Sequence, residues 1–80
     1  MIAALEIEQR LKAAFPDAEV VLEDLTGGQD HWKALIITEA FSGLTLIARH
    51  RKVNQALAEE LKGPIHALTL VTLAPGEPRQ

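Results

Sequence analysis

Residues 44–73 read LTLIARHRKVNQALAEELKGPIHALTLVTL, and across Gly63-Pro64 the spacing of their apolar residues changes from helical to extended. Before the break, Leu46, His50, Val53, Leu57 and Leu61 recur at spacings of 4, 3, 4 and 4, which puts them on one helical face. Glycine followed by proline then stops the helix, one by permitting a left-handed cap and the other by lacking the N–H that another turn needs. After the break, Ile65–Leu73 is a strand candidate, with Thr69 and Val71 supplying β-branched side chains. A strand that follows a helical crossover can pair in parallel with an earlier one, so this segment predicts a mixed sheet.

The earlier chain supplies the strands to be joined. Ala4, Ile7, Leu11 and Ala14 are spaced by three and four between polar residues, predicting an amphipathic helix over Ile2–Phe15 that Pro16 ends. In AEVVLEDL, Ala18, Val20 and Leu22 alternate with Glu19, Val21 and Glu23, the pattern of a half-buried strand. Gly27-Gly28-Gln29-Asp30 is loop chemistry, and HWKALIIT, residues 31–38, is a second strand that closes an antiparallel hairpin. The connector EAFSG offers Ser42 as a helix cap, and Asn54 with the adjoining charges marks a break in the helical region. The predicted fold is an α+β two-layer sandwich, with a three-stranded mixed sheet and the helices on one face. It occupies residues 1–74, and Pro75-Gly76-Glu77-Pro78 opens a flexible tail over 75–80.

Eighty residues bury one core and no more. The chain has no cysteine, so a metal here must be bound by His, Asp or Glu. Glu6 interrupts the N-terminal apolar run too early for a signal peptide, and no stretch is long enough to span a membrane, which predicts a cytoplasmic protein. Net charge is −3, which opposes indiscriminate attraction to phosphate and predicts weak duplex DNA binding at physiological salt.

Catalysis finds few residues to work with: Ser42 is the single serine, and neither a glycine-rich phosphate loop nor an HExxH pair occurs. Glu59 and Glu60 diverge as helix neighbours, and Glu23 and Asp24 point to opposite faces of a strand. The histidines carry more information. His50 lies on the apolar helical face, where a hydrogen-bonded structural role is the simpler reading. His31 opens the second strand beside the Gly-Gly loop, as a surface residue or a functional one. His66 stands at the beginning of the third strand, where composition favours core packing, the strand start would let an imidazole reach solvent or a partner, and spacing does not decide between them. Arg49, Arg51 and Lys52 form a basic run suited to solvent, an acidic partner or phosphate.

The stretch FSGLTLIARHRKVNQALAEELKGPIHALTL resembles the BolA family in its Phe-x-Gly turn, its Arg-His-Arg-x-Val helix segment and its Ile-His-Ala-Leu strand. His31-Trp32 matches the family's strand-opening histidine–aromatic pair, so the resemblance runs through nearly the whole chain to about Leu73. It implies an αββααβ fold similar to the class II KH fold, with the helical region in two pieces. KH domains bind nucleic acid and some BolA proteins regulate transcription, but Arg49-His50-Arg51-Lys52 replaces the KH Gly-x-x-Gly clamp here. The resemblance also implies partnership with a monothiol glutaredoxin carrying Cys-Gly-Phe-Ser, in iron–sulfur trafficking or iron sensing. A 2Fe-2S cluster is then shared with the glutaredoxin cysteine and glutathione, and His66 matches the family's strand ligand. Many members take a second ligand from the loop between the first two strands. Leu25–Asp30 has neither Cys nor His, which leaves His31 as the nearest candidate. The alternative is a DNA-binding regulator that uses the basic helix segment, and the free protein is left as monomer or homodimer.

Overall fold

The structure, a computed structural model, describes residues 1–78. Its elements are α1 (Ala4–Ala14), β1 (Glu19–Asp24), β2 (His31–Ile37), a 3-10 turn (Glu39–Phe41), α2 (Leu46–Ala56), α3 (Ala58–Leu61) and β3 (Ala67–Leu73). The sheet order is β1-β2-β3, with β1 antiparallel and β3 parallel to β2, as the crossover predicts. Among the described residues no helix is long and apolar enough to cross a membrane.

Alternation along β2 shows which face of the sheet is covered. Trp32, Ala34 and Ile36 are buried, and they share one core with Ile7 and Leu11 of α1, Val53 of α2 and Leu57. Both long helices therefore lie on that face. The opposite face carries Val21, Leu35 and Val71 side by side in register, with Val21 exposed. Phe41 of the family-like Phe-x-Gly turn is fully buried and meets Phe15 edge to face, with ring centroids 5.4 Å apart. Gly43 two residues on has φ +76, a conformation that glycine adopts without the steric penalty of a Cβ.

The helical region departs from its pattern in four places. The cap of α2 is Thr45, whose hydroxyl accepts the Ala48 N–H, whereas the Ser42 hydroxyl donates to Glu39. The inward face begins with Arg49: Leu46, in the first turn, is 61% exposed, and Arg49 is 9% exposed. The break lies at Leu57, where a buried apolar side chain takes a non-helical backbone conformation, and Asn54 remains inside α2. Ile65 and His66 precede β3, because the backbone of His66 forms a bend before the ladder begins.

The tail also differs from expectation. Pro75 and Gly76 turn the chain back, so that Glu77 meets Arg49 and accepts the Ala74 N–H at 2.7 Å. The ordered fold thus continues past residue 74, and Arg79 and Gln80 lie outside the described residues.

Candidate metal centre

Parallel pairing of β2 with β3 sets His31 opposite Ala67, and His66 immediately precedes that partner. The two imidazoles consequently sit together at one end of the sheet, with centroids 5.0 Å apart and planes tilted by 57°. His66 is exposed, and about a third of the His31 side chain is accessible, so both rings can be reached from outside. Thus the residues singled out as ligands at the ends of separate predicted strands are neighbours in space.

The loop before β2 is built around two aspartates. Asp24 accepts N–H groups from Thr26, Gly27 and Gln29, with the last two at 2.9 and 3.1 Å. These bonds organise a turn in which Gly27 and Gln29 both have positive φ. At its end, the Asp30 carboxylate accepts the Thr26 hydroxyl at 3.2 Å and lies 3.0 Å from His31 Nδ1. The Asp30 carbonyl accepts the backbone N–H groups of His66 at 2.7 Å and Ala67 at 3.2 Å. Hydrogen bonding to His31 holds the Asp30 carboxyl below the usual aspartate range, opposed by partial desolvation. Nothing in the sequence pattern distinguishes Asp30 from an ordinary turn aspartate except its adjacency to His31.

The basic run does not act as one surface. The Arg49 guanidinium donates to the Leu44 and Thr72 carbonyls and forms a two-pronged pair with Glu77 at 2.6 and 3.0 Å. It is therefore a structural residue joining α2, β3 and the C-terminal turn, which corrects its reading as a contact cation. Its hydrogen bonds, followed by the Ala74 N–H, lower the Glu77 carboxyl to about 2. Arg51 and Lys52 remain exposed, with Lys52 beside a depression lined by Ala14, Phe15, Gln55 and Ala56. His50 lines a separate groove with Leu46, Leu70–Leu73 and Pro78.

A family model described as BolA-like protein matches residues 3–77. An uncharacterised protein of Rickettsia prowazekii is 38% identical over 91% of this chain and 95% of its own length. The DNA-binding transcriptional regulator BolA of Escherichia coli is 37% identical, over 90% of this chain and 75% of that protein. The protein with the same name in Vibrio cholerae is 46% identical over 68% of this chain, a match spanning 51% of that relative. Among solved structures, BolA1 from Arabidopsis thaliana superposes with a TM-score of 0.86 at 31% identity, covering 95% of each chain. The BolA domain of SufE1 from the same plant gives 0.86 at 29% identity, over 98% of this chain and all of that one. Sequence and fold together place this chain in the BolA-like family.

Proposed function

We propose that this protein is a non-catalytic adaptor that pairs with a monothiol glutaredoxin and supplies His31 and His66 to a glutathione-bound 2Fe-2S cluster. The observation that carries the reading is the approach of two accessible imidazoles to 5.0 Å at one end of the sheet. Their chemistry suits such a group: Rieske centres show that one iron of a 2Fe-2S cluster accepts two histidines in place of two cysteines. A cysteine-free chain can thus contribute half of the ligands, with thiolates from the glutaredoxin and glutathione supplying the other half. When bound, the cluster supplies iron–sulfur cargo for transfer or an iron-dependent signal. The role of this chain is to hold two donors together at one end of its sheet, where solvent or a partner can reach them.

A second reading has specific support in the relatives named as DNA-binding transcriptional regulators. The cations available to it are Arg51 and Lys52, since Arg49 is engaged with Glu77. Anaerobic reconstitution with a Cys-Gly-Phe-Ser glutaredoxin, glutathione, iron and sulfide tests the adaptor reading. The mixed complex should show cluster absorption that the glutaredoxin homodimer does not reproduce, and His31→Ala should change its spectrum or shorten its lifetime. An identical spectrum and lifetime with His31→Ala would remove His31 from the site. Sequence-specific DNA binding tighter than about 10⁻⁸ M that weakens steeply with salt would favour the second reading.

A further inference from the structure

Asp30 is bonded to both histidines, by different groups. Its carboxylate meets the ring of His31, and its carbonyl accepts the backbone N–H of His66. These two bonds have different consequences. The carbonyl bond sets where the His66 Cα lies and survives any change of side chain at residue 30. The carboxylate bond controls the chemistry of the His31 ring.

A neutral imidazole carries one N–H and one lone pair, and its neighbours select which nitrogen has which. An ionised carboxylate has no proton to give, so the nitrogen facing it must carry the hydrogen. Nδ1 faces Asp30 at 3.0 Å, which assigns the proton to Nδ1 and leaves the lone pair on Nε2. A carboxylate in that position also orients the ring and makes the opposite nitrogen a better metal donor.

The loop is shaped to keep this carboxylate in place. The Thr26 hydroxyl donates to the same oxygen that faces His31, and the Gly28 N–H in turn donates to the Thr26 hydroxyl at 3.3 Å. A Cβ on Gly28 would stand 3.1 Å from that carboxylate oxygen, closer than ordinary van der Waals contact. The second glycine of the Gly-Gly pair is therefore the space Asp30 occupies, in addition to being a turn residue.

We propose that Asp30 is the positioning residue of the two-histidine site: it holds His31 in the Nδ1–H form with Nε2 presented as the donor atom, in a pocket that Gly28 keeps open. The assignment of that donor to a metal rests on the adaptor reading, whereas the ring state does not. The test is long-range proton–nitrogen correlation of ¹⁵N-labelled, metal-free protein, roughly two pH units above the ordinary histidine pKa of about 6.5. Wild type should show His31 as the Nδ1–H form. Asp30→Ala should shift it toward the Nε2–H form, and Asp30→Asn should restore it, because an amide oxygen still accepts. Gly28→Ala should move the population in the same direction as Asp30→Ala. With zinc ion alone as a probe, Asp30→Ala should bind about 10–100-fold more weakly than wild type. An unchanged His31 ring state in Asp30→Ala, or equal zinc binding by the two proteins, overturns the proposal. Failure of wild type to form a cluster with a glutaredoxin would instead overturn the adaptor reading and leave the ring-state result standing.

Discussion

Ile65 and His66 are adjacent in sequence, and the structure predicts opposite outcomes for replacing each by alanine. The Ile65 side chain is 2% exposed and belongs to the core shared by the helices and sheet. Cutting it to alanine removes three carbons from a packed site, a change worth about 2–5 kcal/mol. For a domain of 80 residues, total stability is expected at about 4–12 kcal/mol, so Ile65→Ala removes a large share of it. At roughly 4–8 °C per kcal/mol, the melting temperature should fall by about 10–30 °C. His66 is exposed, and the bond that fixes its backbone, from its N–H to the Asp30 carbonyl, is retained by alanine. His66→Ala should stay within about 0.5 kcal/mol of wild type and still bind apo glutaredoxin. It should nevertheless lose the stable shared cluster. Urea unfolding followed by circular dichroism measures the first quantity, and absorbance of the reconstituted heterodimer over time measures the second. The reasoning fails if His66→Ala melts like Ile65→Ala, or if its cluster has the wild-type spectrum and lifetime.

Two further predictions concern the elements that hold the site's scaffold. The Glu77 carboxyl is lowered from 4.5 to about 2, so its contribution to stability is present above pH 4.5 and disappears as pH falls from there through 2. Glu77→Gln should therefore be less stable than wild type at neutral pH, with the difference closing across that window in acid titrations; a constant difference would argue against the Arg49 pair as its source. At the start of α2, Thr45→Ala should cost about 1 kcal/mol in urea unfolding, and Ser42→Ala should stay within about 0.5. The reverse order would return the cap to Ser42.

Short-range pattern carried the fold because each element obeys a local rule. Alternation in β1 and β2 matches the buried face, and the glycine–proline stop separates helix from strand. The helix phase was harder to see, because apolar spacing alone placed Leu46 inward and left Arg49 among the surface charges. What buries Arg49 is distant: its carboxylate partner is Glu77, and one of its carbonyl acceptors is Thr72. A run of charges has no local mark that says which member finds a partner 28 residues away. The same limit hid the returning turn after Ala74, since Pro-Gly-Glu-Pro is as suitable for a loose tail as for a hook. His31 and His66 were visible singly as imidazoles at strand beginnings, but their proximity depended on register.

Topology explains why those two positions form a site at all. His31 begins β2 and His66 comes just before β3, so a parallel pairing puts both at the same end of the sheet. Had β3 returned antiparallel to β2, His66 would lie near Ile37, at the far end of a seven-residue strand. At about 3.3 Å per residue that separation is roughly 20 Å, too far for one metal centre. The crossover through α2 and α3 is what reverses the chain before it re-enters the sheet, and the Gly63-Pro64 stop is what ends the crossover in time for His66 to meet the Asp30 carbonyl. The break that most constrains the fold is therefore also the feature that assembles the donor pair. It follows that the donor pair depends on the register of β3: a slip of one residue against β2 would take His66 from its backbone acceptor and from His31, and would also turn Leu68 and Leu70 away from the core face.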